Sequence, residues 1–197
     1  MLLALTACSQ QPATTNTPYL IGGPCEGCEA VLEYGDQTLK AIDTMPNTDE
    51  EGLPLKITGT VFRSDGETPA SGIVLYFYQT DHDGLYTPSK GATGWARKHG
   101  ATRKWLKTDA NGQYTLYTRK PGAYPSGTEP PHIHLTVLEP DGAYYWLPSY
   151  LFAGDDLRSE ASHASSNPRG GYARLLQLEK KGDLWLGTRD IVLRANI

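Results

Sequence analysis

The sequence predicts an all-β protein, a β-sandwich, on three observations. From Leu55 onward, short runs rich in β-branched and aromatic residues recur at close spacing. Turn clusters of Gly, Asp, Asn and Pro separate them, as in sandwich folds. No stretch carries the sustained 3.6-residue apolar period of a long amphipathic helix, and no internal repeat is visible.

The elements follow in order. Leu55-Lys-Ile-Thr-Gly-Thr-Val-Phe62 is the first strand and Ser64-Asp-Gly66 its turn. Gly72-Ile-Val-Leu-Tyr-Phe-Tyr78 is almost continuously apolar, the mark of a strand covered on both faces. A long polar loop with Lys, Arg and Gly fills the interval from Tyr86 to Thr108, a length that is often functional. The turn Thr108-Asp-Ala-Asn-Gly112 leads into the alternating strand Gln113-Tyr-Thr-Leu-Tyr-Thr118. A strand containing His132 and His134 follows, then the hairpin Pro140-Asp-Gly142 and Tyr144-Tyr-Trp-Leu147. Strands at 173–178 and 190–194, with a Gly182-Asp183 turn between them, close the chain.

The 197 residues carry a net charge of -4, with 39% hydrophobic and 20% charged residues, which suits one globular domain with an ordinary core. Mild acidity leaves no electrostatic footprint for nucleic acid. No run approaches the roughly 20 apolar residues of a membrane-spanning helix. Residues 9–60 hold eight Asp or Glu against Lys40 and Lys56, which reads as a solvated acidic face. The chain divides into a signal remnant and tether (1–18), an irregular N-terminal segment (19–52) and the sandwich (53–197).

Met1-Leu-Leu-Ala-Leu-Thr-Ala-Cys8 resembles the end of a bacterial lipoprotein signal, with Leu5-Thr-Ala-Cys8 as the lipobox. Lipidation of Cys8 would tie the protein to the bacterial cell envelope, at the periplasmic face or the cell surface, through the polar tether Ser9–Pro18. The alternative is a chance apolar start. Cys25 and Cys28 then remain, a close pair able to form a local disulfide outside the cytoplasm, with free thiols as the alternative.

The chemistry concentrates in Gly84-Leu-Tyr86, Pro121-Gly-Ala-Tyr124 and Pro131-His-Ile-His134. Residues i and i+2 of a strand share a face, so His132 and His134 can aim at one point. Phenolate is a hard anionic oxygen donor and imidazole a borderline nitrogen donor. The mixture suits Fe(III) better than zinc, because only a strongly Lewis-acidic ion takes protons from two phenols near neutral pH. Taken singly, a His-x-His on a strand or one of twelve tyrosines is more often structural.

These motifs occur in an ordered series: Gly59-Thr-Val, Asp65-Gly, Gly84-Leu-Tyr86, Thr102–Tyr114, Pro121-Gly-Ala-Tyr124, Pro131-His-Ile-His134 and Leu151-Phe-Ala-Gly-Asp155. In that order they resemble the intradiol ring-cleavage dioxygenases, the family of catechol 1,2-dioxygenase and protocatechuate 3,4-dioxygenase. The resemblance implies Fe(III) as cofactor, no organic cofactor, and Tyr86, Tyr124, His132 and His134 as metal ligands. It implies that Tyr124 is released when a catechol chelates the ion and takes up a substrate proton. The implied partners are a catechol-like substrate and O₂, and the implied product is a muconate-type diacid.

Two positions depart from the family pattern. Three residues before the first histidine, where the family usually has Arg, stands Glu129; where it often has Gln stands Ser149. A carboxylate at 129 repels a catecholate unless it points away or is protonated. Arg103, expected with Tyr124 to be catalytic, or a residue of the 87–107 loop (Lys90, Arg97, Lys98, His99), is expected to supply the missing charge. His82, His99 and His163 have no pattern behind them and are expected on the surface. Two other readings stay open: a non-catalytic binding module for carbohydrate or protein, and a metalloenzyme acting on larger catechols outside the cell.

Overall fold

Alternation builds the first layer. Leu55, Ile57 and Val61 of one strand and Tyr114 and Leu116 of its neighbour all point inward and are buried. In the computed structural model, residues 17–46, 51–155, 169–171, 174–195 and 197 are described. The strands are β1 (Tyr19–Leu20), β2 (Ile42–Thr44), β3 (Pro54–Phe62), β4 (Val74–Gln79), β5 (Arg103–Lys107), β6 (Gln113–Arg119), β7 (Ile133–Leu138) and β8 (Ala143–Phe152). Four short ones follow: β9 (Leu175–Leu176), β10 (Glu179–Lys181), β11 (Leu184–Thr188) and β12 (Ile191–Val192). A 3₁₀ helix spans Cys28–Leu32, and a short helix α1 spans Gly94–Lys98. No described helix is long and apolar enough to cross a membrane.

Two mixed sheets result, β1-β8-β7-β4-β5 with β9 on β8, and β10-β11-β3-β6-β2 with β12 on β3. Between them lies the main core, including Leu55, Ile57, Leu75, Phe77, Leu116 and Val137. The predicted β-sandwich is therefore the fold, and the strands expected at 55–62, 72–78 and 113–118 are present. At the C-terminus, β9 keeps only two residues of the run expected at 173–178, and residue 173 lies outside the described residues.

Three expectations need correction. The interval 86–108 is not all loop, because β5 occupies Arg103–Lys107 and pairs with β4. Its pattern was hidden by Arg103 and Lys104, whose charges are met from the N-terminal segment by Glu33 at 2.8 Å and Asp43 at 2.7 Å. That segment is not wholly irregular or free-standing either, although Glu26, Glu29, Glu33 and Asp36 lie exposed, as a solvated acidic face requires. Cys28, Ala30, Val31 and Met45 are buried, and the Trp105 indole N–H donates to the carbonyls of Ala30 and Val31. Finally, Ile42–Thr44 is a strand, in parallel register with β6. Cys25 and Cys28 form a disulfide. Cys8, its lipobox and His163 lie outside the described residues.

Candidate metal centre

Strand period and two backbone contacts assemble the site. His134 lies in β7 and His132 just before it, so both rings leave the outer face of the sheet side by side. Nδ1–H of His132 donates to the Pro130 carbonyl at 2.7 Å, which turns Nε2 toward the site. Tyr86 and Tyr124 arrive on two loops that touch through their glycines. A Cβ at Gly84 would stand 1.9 Å from the Ala123 carbonyl oxygen, and one at Gly122 would stand 2.2 Å from that of His82. Only glycine permits these approaches, and Gly84 also has φ +78. Asp81 shapes the first loop: Oδ1 accepts from the amides of Asp83 and Leu85, and Oδ2 from the Thr87 hydroxyl.

The four side chains converge. The Tyr86 hydroxyl is 2.8 Å from that of Tyr124 and 2.9 Å from His134 Nε2. His132 Nε2 is 3.2 Å from the Tyr124 hydroxyl and 3.0 Å from His134 Nε2. Donors at right angles around one ion at about 2.1 Å stand about 3 Å apart, so the set fits a single first-row metal ion. Among the described residues no group of three or more His, Cys, Asp and Glu could hold a metal ion.

Burial sets the protonation states. Burial, with His132 and His99 nearby, holds the His134 imidazole well below its ordinary pKa, so it is neutral and able to ligate. Burial also raises both phenols, Tyr86 most strongly, where the Tyr124 hydroxyl adds to the effect. For Tyr124 the Glu129 carboxylate adds to the rise while the hydrogen bond to Tyr86 opposes it. Without a cation both phenols stay protonated.

Around the four lies a layer that the sequence did not announce. The Tyr78 ring is sandwiched between His134, 4.3 Å between centroids, and His99, 3.8 Å and within 3° of parallel. His99 is 6% exposed, so the expected surface histidine is a buried one. Its Nδ1 stands 2.9 Å from the Tyr76 hydroxyl. Burial first, then Arg103, pushes its pKa down to about 4, so the ring that meets Tyr76 is neutral. The only sequence signal for His99 was its place in the long loop, since the short helix α1 sets it down against Tyr76 and Tyr78, more than twenty residues earlier. His82 lies at the surface as expected, beside Glu51.

Of the cations proposed for the site, Arg103 is engaged by Glu33 and lies over the Trp105 ring. Lys98 faces Glu26 and covers Trp95. Ser149 approaches His134 rather than open space, with Oγ 3.3 Å from Nδ1. Beside it a cavity of about 300 Å³ runs between His134, Trp146 and the Cys25–Cys28 loop.

Fold and site together define a β-sandwich that presents two phenols and two imidazoles to one point. The chain belongs to the intradiol dioxygenase family. A family model described as "Dioxygenase" matches residues 31–167. The alpha chain of protocatechuate 3,4-dioxygenase from Burkholderia cepacia is 32% identical over 138 residues, covering 68% of this chain and 65% of that one. Catechol 1,2-dioxygenase 1 from Acinetobacter lwoffii is 28% identical over 195 residues, covering 85% and 59%. The chain thus spans less than two thirds of these curated relatives. Among solved structures, the dioxygenase domain of a dioxygenase–carbohydrate-binding protein fusion from Streptomyces sp. SirexAA-E is 25% identical. It superposes with a TM-score of 0.59 over 91% of this chain and 99% of that one.

Proposed function

We propose that this chain cleaves a catechol-like aromatic between its two hydroxylated carbons, using O₂ and an Fe(III) ion held by Tyr86, Tyr124, His132 and His134. The observation that carries the reading is the convergence of those four donor atoms at 2.8–3.2 Å on rigid elements. Family membership supports catechol-type ring cleavage in general. Bound Fe(III) would supply the Lewis acidity that ionises the phenols and the bound catechol.

The protein's own groups divide the remaining work. His132 is fixed by a backbone carbonyl and His134 by the Tyr78 ring, so neither has freedom to leave. Tyr124 sits on the loop between Pro121 and Pro130, where the half-buried Glu129 carboxylate favours its protonated form. It is therefore the phenol suited to accept a proton from an incoming catechol. Tyr86 is locked by the Asp81 turn and stays in place. Arg103, neutralised by Glu33, acts at one remove by holding the Tyr76–His99 side of the stack.

The reading includes a bacterial envelope location with a lipid on Cys8, which the disulfide supports as a sign of an oxidising compartment. Mass spectrometry of the N-terminal peptide tests it. A second reading, a non-catalytic binding module, is favoured by one observation: the negative charge of Glu129 acts on Tyr124, where a catecholate would approach.

An aerobic absorption spectrum and oxygen uptake across a catechol panel decide between them. An enzyme shows a visible tyrosinate-to-Fe(III) band that shifts with catechol, consumes O₂ and forms a diacid. Chelation abolishes band and turnover, and ferric iron restores both. A pure iron-replete preparation without the band sinks the dioxygenase reading.

A further inference from the structure

The two histidines are steered by different means. His132 Nδ1–H donates to a backbone carbonyl, which no side-chain substitution removes. His134 Nδ1 faces a side chain, Ser149 Oγ at 3.3 Å, while its Nε2 turns toward Tyr86 and His132. A ligating ring must carry its proton on the nitrogen away from the metal, and the group receiving that proton fixes tautomer and orientation.

Ser149 reaches this place through a fault in the ladder. Ile133 pairs with Tyr150 and Leu135 with Leu147, so Pro148 and Ser149 together stand opposite His134 alone. Such a bulge bends the strand and re-aims one side chain. It also releases the Pro148 carbonyl from the ladder, and that carbonyl accepts from Arg189 Nη1 at 2.8 Å.

Arg189 is an expensive residue to keep there. It is fully buried, with its guanidinium 4.3 Å from the centre of the Tyr150 ring, and among the described residues its Nε and Nη2 have no partner. A hydrophobe of similar volume is often neutral or stabilising at a buried charged position. Its backbone is held on both sides: its amide donates to the Thr58 carbonyl at 2.9 Å, and its carbonyl accepts from the Tyr114 hydroxyl at 2.7 Å. Gly59 leaves room for that carbonyl, which would lie 1.8 Å from a Cβ.

We propose that Ser149 and Arg189 are positioning residues for His134: Arg189 holds the Pro148–Ser149 bulge, and Ser149 receives the Nδ1 proton that leaves Nε2 free to ligate. The inference rests on the reading of His134 as a metal ligand, yet its first test needs no metal. Nitrogen-15 NMR of the metal-free protein shows His134 in the Nδ1–H tautomer, in wild type and in Ser149→Thr. In Ser149→Ala the ring becomes a mixture of tautomers.

With ferric iron loaded, a chelator strips the metal about tenfold faster from Ser149→Ala and Arg189→Met. Ser149→Thr and Arg189→Lys release iron at close to the wild-type rate. The melting temperature of metal-free Arg189→Met stays equal or rises, so its faster iron release is not a consequence of a weakened fold. An unchanged tautomer in Ser149→Ala overturns the role of Ser149. Unchanged iron release in Arg189→Met, or a lowered melting temperature, overturns that of Arg189. Wild-type protein that takes up no ferric iron sinks the metal reading, and the tautomer comparison still decides the case for Ser149.

Discussion

The two faces of the sheet β1-β8-β7-β4-β5 are made from alternate residues of the same strands and are built to different rules. On the inner face of β4 and β7, Leu75, Phe77, Leu135 and Val137 fill the sandwich core. On the outer face, Tyr76, Tyr78 and His134 stack with His99 and Trp105 under the disulfide-closed N-terminal segment. Aliphatic side chains exclude water and carry no proton. Aromatic rings with polar rims also pack, and they fix one another's orientation through hydrogen bonds and parallel faces. A sheet can thus hold a stable core on one face and a steered set of donors on the other, a single residue apart.

The comparison breaks most sharply at the donor set. Tyr86→Phe keeps the ring and removes one donor, so ferric iron affinity falls at least about a hundredfold while the melting temperature of the metal-free protein changes little. Iron titration followed by absorption, with parallel thermal melts, checks it.

Next comes a pair of neighbours. Phe77→Ala, on the inner face, costs about 3–5 kcal/mol of stability by leaving a cavity. Tyr78→Phe, one residue on, keeps the stacked ring and costs less than about 1 kcal/mol. Urea unfolding of both variants measures the difference, and equal losses would show that the faces are not energetically distinct.

The outer face should also answer to pH where the inner face does not. His99 binds a proton only near pH 4 when folded but near 6.5 when unfolded. The unfolded state therefore holds more protons between those values, and stability falls as pH drops through that window. Above 6.5 both states are neutral and the contribution is complete. Urea midpoints of wild type and His99→Gln, compared from pH 7.5 to 4.5, isolate this loss, because the variant lacks it.

The smallest effect belongs to Glu129. Removing its charge in Glu129→Gln takes away a contribution that raises the Tyr124 phenol, so binding of a carboxylate-bearing catechol improves a few-fold relative to uncharged catechol. Calorimetric titration of the iron-loaded protein with both ligands measures the ratio.

Much of this was legible in residues with strong local signals. The strand Leu55–Phe62 reads from its alternation, and the pair His132 and His134 from its i, i+2 spacing. Gly84 and Gly122 belong to the quoted motifs, though only the touching loops show why they are glycines. β5 was hidden because its surface charges are answered from far away by Glu33 and Asp43. His99 was misplaced for the same reason: its partners are Tyr76 and Tyr78, more than twenty residues earlier.

The sequence by itself determined the sandwich and the four donor groups, since both depend on local period, turn chemistry and residue type. Only the tertiary structure decided what surrounds those donors. The Tyr78–His99 stack, the engagement of Arg103 by Glu33, and the bulge that turns Ser149 toward His134 all join residues distant along the chain. A one-residue change of register would send Tyr78, Arg103 and His134 to the other face of the sheet, away from His99, Glu33 and Ser149, and register is a property of paired strands rather than of a single segment.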